Sequence, residues 1–205
     1  MIAVVDYGVG NLFSLIGSLK AIGADAIITG DENEIRACEK IILPGVGAFG
    51  DAAEKLRSRS LDRVLIDEAK KGKEIMGICL GMQLLFERSH EYGVHEGLGL
   101  IKGEVVAMNG SLPPELKIPH IGWNALHKVR DSRILKNVKE NDCVYFVHSF
   151  YASGCDDSLV ATAEYGKELT AAVELDNISG CQFHPEKSGS VGLNILKSFA
   201  FGENI

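Results

Sequence analysis

Cys79 sits where an apolar run meets a helix-forming one, in Glu74-Ile75-Met76-Gly77-Ile78-Cys79-Leu80-Gly81-Met82-Gln83-Leu84-Leu85-Phe86. That order spells strand, tight turn and helix, and the glycines on both sides of the thiol let the backbone bend sharply and a substrate come close. At a helix N-terminus a thiolate meets unpaired N–H groups and the positive end of the helix dipole, which lower a thiol pKa from the free value of about 8.5. Such a thiol is a nucleophile. Taken alone, Cys79 reads first as a small buried hydrophobe at a strand end; a base and an oxyanion site elsewhere would change that.

Gln182-Phe183-His184-Pro185-Glu186 supplies a candidate base. Read as a strand end, it places residues two apart on one face, so His184 and Glu186 lie side by side. His184 would take the thiol proton and later protonate a leaving group, while Glu186 holds the imidazole tautomer and stabilises its cation. The alternative is a strand-capping histidine beside a solvated acid. A metal site is disfavoured because no third ligand lies nearby in sequence. Cys79 is remote in the chain, but parallel strands present their carboxyl ends to a common crevice.

The third stretch, Leu43-Pro44-Gly45-Val46-Gly47-Ala48-Phe49-Gly50-Asp51, contains a literal G-x-G-x-x-G. A dinucleotide site is disfavoured because the loop follows the third predicted strand, and the acids about 20 residues on, Asp67 and Glu68, fall in a charged helix. Gly8-Val9-Gly10 is a weaker decoy, with Phe13 where the third glycine should stand. An oxyanion hole suits Gly45 to Gly47 better: an N–H from this loop and the N–H of Leu80 would receive a tetrahedral oxyanion.

These three pieces require strands and helices that alternate. Up to about residue 90 they do, which predicts a parallel sheet wrapped by helices. Strands are expected at Ile2 to Asp6, Ala26 to Thr29 and Lys40 to Leu43. Asn11 is placed to cap a helix with Leu12, Leu15, Ile16, Leu19 and Ile22 at helical spacing and Gly23 at its end. Asp31 with Glu34 spells a capping box, and Ser60 opens a helix that buries Leu61, Val64, Leu65 and Ala69 before Gly72. Beyond residue 90, strand-like runs at 100–107, 120–126, 143–148, 159–164 and 170–174 predict antiparallel additions to the sheet. A strand at 180–183 and a helix near 190–200, with Leu193, Leu196 and Phe199 inward, complete the chain. Pro113-Pro114 reads as a local turn, and 1–205 as one domain.

Composition narrows the function classes. The 205 residues are 46% hydrophobic and 24% charged, enough for one well-buried core. A net charge of -7, a pI near 5.4 and no basic cluster with interleaved aromatics argue against nucleic acid. No apolar run approaches the ~20 residues that span a bilayer, and Met1 leads directly into a strand, so a cytoplasmic protein is expected. Five cysteines at irregular spacing suggest neither a disulfide framework nor a zinc site.

The G-x-C-x-G elbow and the distant H-P-E resemble those of class I glutamine amidotransferases. Further blocks, PGVGAFGD at 44–51, GICLGMQLL at 77–85, EGLGL at 96–100, IPHIGWN at 118–124, YFVHSFY at 145–151 and QFHPEKS at 182–188, resemble the glutaminase subunits of imidazole glycerol phosphate synthases across nearly the whole chain. The resemblance implies an α/β, three-layer, flavodoxin-like fold with a central mixed, mostly parallel sheet flanked by helices. It implies a Cys79-His184-Glu186 triad that hydrolyses glutamine through a γ-glutamyl thioester. Oxyanion donors at Val46, Gly47 and Leu80 follow from it, as do glutamine contacts at Gly47, Gln83, Ser149 and Phe150. It implies no metal and no cofactor.

The same resemblance implies a heterodimer with a (β/α)₈-barrel cyclase, faced by Asn11, Trp123, Tyr145 and Lys187, which uses the ammonia to make imidazole glycerol phosphate in histidine biosynthesis. Low activity until the partner binds its own ligand is also implied, with a Val46 peptide of two orientations as the switch. On the residues alone Gln83 and Ser149 are equally readable as surface hydrogen-bonding groups, and Trp123 and Tyr145 as core. Rival readings are a glutaminase serving another synthase, a dinucleotide- or flavin-binding module, and a cysteine peptidase or γ-glutamyl hydrolase.

Overall fold

The structure is a computed structural model that describes residues 1–110 and 112–202. The first part runs β1 (Ile2–Val5), α1 (Leu12–Ala21), β2 (Ala26–Thr29), α2 (Glu32–Ala37), β3 (Lys40–Gly45), α3 (Phe49–Ser58), α4 (Leu61–Lys70), β4 (Glu74–Cys79) and α5 (Leu80–Leu84). Then come β5 (Phe86–Ser89), β6 (His95–Glu96), β7 (Ile101–Ala107), β8 (His120–Ala125), β9 (His127–Lys128), β10 (Cys143–His148), β11 (Phe150–Ser153), β12 (Leu159–Glu164), β13 (Glu168–Leu175) and β14 (Ile178–Cys181). A 3-10 turn at Pro185–Lys187 leads into α6 (Gly189–Phe201).

Eight strands form the central sheet in the order β2-β1-β3-β4-β14-β13-β12-β9. The pairings from β2 to β14 are parallel, and β13, β12 and β9 add on antiparallel. Side-chain alternation along the parallel strands divides the core in two. Ala3, Val5, Ile41, Leu43 and Ile75 face α3 and α4, where Phe49, Leu56, Val64 and Leu65 are buried. Ile2, Val4, Ile42, Met76 and Ile78 face α1 and α6, where Leu15, Leu19, Ile195 and Leu196 are buried. Each such Leu, Ile or Phe contributes about 1.5–3 kcal/mol of apolar burial. The result is the three-layer α/β arrangement expected from the sequence.

Three expectations need correction. Beyond residue 90 only β9, β12 and β13 join the sheet antiparallel; β7 joins a separate four-stranded sheet, β11-β7-β5-β6, and β8 pairs with β10 in a two-stranded ribbon. Asn11 precedes α1 without a side-chain cap bond. The capping box of α2 is half made: Asp31 accepts from the Asn33 and Glu34 N–H groups, a cap worth about 1 kcal/mol. The Glu34 carboxylate turns away to the Thr29 hydroxyl, which in turn accepts from the Asp31 N–H. The turn at Pro113 is present, with Leu116 N–H bonded to its carbonyl. Among the described residues no helix is long and apolar enough to cross a membrane.

Candidate active site

Strands β4 and β14 are hydrogen-bonded neighbours, with Ile78 opposite Cys181, so Cys79 and the 182–188 segment leave the sheet side by side at its carboxyl edge. Cys79 adopts φ 55 and ψ -112 at the strand-to-helix junction, a strained conformation for a residue with a β-carbon that costs on the order of 1–3 kcal/mol. The strain therefore sits on the cysteine, and the flanking glycines serve packing. A β-carbon on Gly81 would stand 1.8 Å from the Leu43 carbonyl oxygen, and one on Gly77 would stand 2.6 Å from Met82 Cα and the Gly81 oxygen. Only glycine lets α5 seat this closely against β3 and β4. Helix α5 has five residues, shorter than the sequence suggested, so its local N–H groups matter more than a macrodipole.

His184 Nδ1 lies 2.8 Å from Glu186 Oε1, and both side chains are almost wholly buried. The expected neighbourhood is real, but its cause is not strand alternation. β14 ends at Cys181, and the 3-10 turn opened by Pro185 brings Glu186 back beneath the imidazole. Burial alone would lower the His184 pKa; hydrogen bonding to Cys79 and to Glu186, with the charges of both, overcomes it and raises the pKa to about 9. The ring's other nitrogen, Nε2, is buried without a well-aligned hydrogen bond.

Cys79 and His184 line one hollow of about 410 Å³. Val46, Gly47, Leu80, Gln83, Ser149, Phe150 and Lys187, all singled out in the sequence, line it too. Val46 is 42% exposed at the rim, and Gly47 has φ +97, a conformation suited to glycine. Gly45, by contrast, belongs to β3, where the Tyr7 hydroxyl would be 2.7 Å from a β-carbon; that crowding serves strand packing and leaves no cradle for a pyrophosphate. Gln83 is buried, as the spacing of one helical turn from Cys79 allowed.

The walls also contain residues to which the sequence reading gave no role. Glu91 brings a carboxylate, one oxygen of which accepts from the Phe49 N–H at 2.6 Å. Tyr92, Pro119, Val147 and His148 complete the lining. His148 Nδ1 lies 2.9 Å from the Phe150 carbonyl oxygen, and His148 Nε2 lies 3.1 Å from His120 Nδ1. A carbonyl only accepts, so His148 carries its proton on Nδ1 and its Nε2 accepts a hydrogen bond from the His120 Nδ1–H. Burial, together with the His120 and His184 charges, lowers the His148 pKa to about 3 against the pull of the Phe150 carbonyl. Glu91 lies outside the motif blocks, whereas Pro119, Val147 and His148 fall inside 118–124 and 145–151 without having been given a role there.

Three of the four residues expected to face a partner form one cluster. Trp123 packs edge-on to Tyr145 with centroids 6.2 Å apart, and Lys187 Nζ sits 5.8 Å from the Tyr145 ring centre. Trp123 is 56% exposed, so it is not core. Asn11 stands half-buried at the start of α1, the helix that packs on the 3-10 turn carrying Lys187.

Residues 3–202 match the family described as "Glutamine amidotransferase class-I". The chain is 51% identical over 200 residues to "Imidazole glycerol phosphate synthase subunit HisH" of Caldanaerobacter subterraneus subsp. tengcongensis, covering 97% of each chain. It is 49% identical over 208 residues to the protein of the same name from Sulfurimonas denitrificans, covering 100% of each. Among solved structures, "Structure of PurLQS from Thermotoga maritima" superposes with a TM-score of 0.76 at 24% identity, over 97% of this chain and 96% of that one. A structure described as "Crystal structure of glutamine amidotransferase" gives 0.75 at 16% identity, over 97% and 99%. These two likenesses concern the fold.

Proposed function

The chain belongs to the class-I glutamine amidotransferase family, and from that premise we propose that it is the glutaminase subunit of an imidazole glycerol phosphate synthase, with Cys79, His184 and Glu186 as its catalytic triad. The full-length relatives near 50% identity support the assignment, as both are named as the HisH subunit of this synthase. The observation that carries the site is the buried His184–Glu186 couple at 2.8 Å beside Cys79 in a hollow suited to a free amino acid.

In this reading the Cys79 thiolate attacks the side-chain amide carbon of glutamine. Backbone N–H groups of Leu80 and the Val46–Gly47 loop receive the oxyanion. Protonated His184 gives its proton to the amide nitrogen, the C–N bond breaks and ammonia leaves. Acylation removes the thiolate charge that helped keep His184 protonated, so burial pulls its pKa down again. The same imidazole then takes a proton from water, which attacks the thioester; the C–S bond breaks, releasing glutamate and the thiolate. Ser149 and Phe150 hold the amino-acid end of glutamine, and Glu91 offers the charge that complements its ammonium group.

Ammonia protonated in bulk water is no longer a nucleophile, so the product must pass directly to an acceptor. We assign that role to a (β/α)₈-barrel cyclase seated over Trp123, Tyr145, Lys187 and Asn11. Ile121, exposed on the same ribbon as Trp123, extends the apolar surface. Residues 1–205 act as one amidotransferase domain in the cytoplasm, without metal or cofactor. The test is Cys79→Ala in the complex: glutamine-dependent synthesis is lost while ammonia-dependent synthesis persists. Loss of both activities would make Cys79 a structural residue and refute the reading.

A further inference from the structure

We propose that Gln182 is a catalytic residue whose side-chain amide donates a hydrogen bond to Cys79 Sγ, with the amide's orientation dictated by the Phe150 carbonyl through Gln83. The inference rests on Cys79 being the nucleophile. Gln182 is fully buried immediately after β14, and its Nε2 lies 3.7 Å from Cys79 Sγ. A buried amide can present either its oxygen or its NH₂ group to a neighbour. The first would repel a thiolate and the second would stabilise it, so which end faces the sulfur decides what Gln182 does.

The surrounding donors and acceptors leave one solution. Gln83 Nε2 lies 3.1 Å from the Phe150 carbonyl oxygen and 3.0 Å from Gln182 Oε1. A main-chain carbonyl can only accept, so Gln83 must turn its NH₂ toward Phe150. The second hydrogen of that group meets Gln182, which must therefore offer its oxygen there and its own NH₂ to the sulfur. Reversing Gln182 alone would set NH₂ against NH₂ and oxygen against sulfur, losing two hydrogen bonds in a buried site. The Gln182 main chain is pinned as well, its N–H bonded to the Ala171 carbonyl at 2.8 Å.

The donor polarity thus runs from a backbone carbonyl to the nucleophile without a titratable group. Its effect differs from that of His184. When the thioester breaks, His184 has just taken a proton from water, and the departing sulfur recovers its negative charge; an amide already aimed at that atom stabilises it with no reorganisation. With both its amide hydrogens engaged, Gln83 has only its carbonyl oxygen left for substrate, which fits an ammonium donor.

The experiment alkylates the full chain with iodoacetamide from pH 5 to 10 and quantifies modified Cys79 by peptide mass mapping, with Cys143 as an exposed internal reference. Gln182→Met removes the donor; Gln182→Glu keeps the acceptor for Gln83 and turns an oxygen to the sulfur. Both variants should move the pH midpoint of Cys79 alkylation upward by about one to two units, the worth of a hydrogen bond to an anion. Gln182→Glu should also lower kcat for glutamine hydrolysis about 10- to 100-fold, with KM within about threefold. If neither variant folds, the unaltered protein still decides: the Gln182 side-chain amide proton resonances must move when Cys79 is alkylated. An unchanged midpoint, or resonances that stay in place, would overturn the role of Gln182 alone. Failure of Cys79 to react at any pH would instead overturn the assignment of the nucleophile.

Discussion

Glu186 Oε1 holds His184 Nδ1 at 2.8 Å across a 3-10 turn whose middle is Glu186 itself, so orientation and charge are supplied by a residue two positions away in the chain. Glu186→Gln keeps the shape but removes the charge and leaves the tautomer unspecified. We expect kcat to fall about 10²- to 10⁴-fold with little change in KM, measured as glutamate release. Titration of the His184 ring by NMR should show its midpoint falling from about 9, because one of the two interactions that outweigh burial is lost.

The same value predicts a pH effect on stability. A histidine whose folded pKa is raised contributes fully below its unfolded value of about 6.5, and the contribution is lost as pH rises through about 9. His148 acts in the opposite sense. With a folded pKa near 3, its contribution is intact above about 6.5 and is lost as pH falls from there toward 3. Urea unfolding of His148→Gln should therefore show a flatter acid limb than the unaltered protein, by up to about 1.4 kcal/mol per pH unit between those values. Parallel limbs would mean that His148 titrates alike in the folded and unfolded chains.

Gly81→Ala should be severely destabilising. The added carbon would fall 1.8 Å from the Leu43 oxygen, and neither a strand carbonyl nor a helix start can move aside cheaply. A loss of about 3 kcal/mol or more, or failure to accumulate folded protein, is expected by denaturant unfolding. A loss under about 0.5 kcal/mol would show that the elbow is not tightly seated.

The elbow also shows what the sequence could and could not reveal. Apolar runs bounded by glycine located β1 to β4, because a strand buried on both faces leaves that mark in local composition. The partners of later strands were not legible: β7, β8 and β10 read as strands, yet nothing in their alternation says which sheet each joins. Gly77 and Gly81 were correctly singled out for the wrong reason, since close approach of α5 to β3 is a tertiary fact. His184 and Glu186 likewise meet through a turn where an extended strand was expected. Glu91 and His148 reach the site from strand ends remote in the chain from Cys79 and His184, so no local spacing could have grouped them with it, whereas Gln182 stands two residues before His184 and was within reach of the same alternation.

Trp123 offers a test of the partner surface that leaves the pocket intact. It is exposed, packs edge-on to Tyr145, and does not line the hollow with Cys79. Trp123→Glu should weaken association with the proposed cyclase partner at least about 10-fold, or about 1.4 kcal/mol, in a binding titration. Glutaminase activity of the isolated subunit should not change. An unaltered Kd would place the partner elsewhere.

The most direct measurement of the central claim is covalent capture by a diazoketone analogue of glutamine, followed by peptide mass mapping, with and without the proposed cyclase partner. Selective modification of Cys79, protected by glutamine and lost in His184→Ala, is the predicted result. Label on Cys38, Cys143, Cys155 or Cys181, or equal reaction of Cys79 in the presence of excess glutamine, would contradict it.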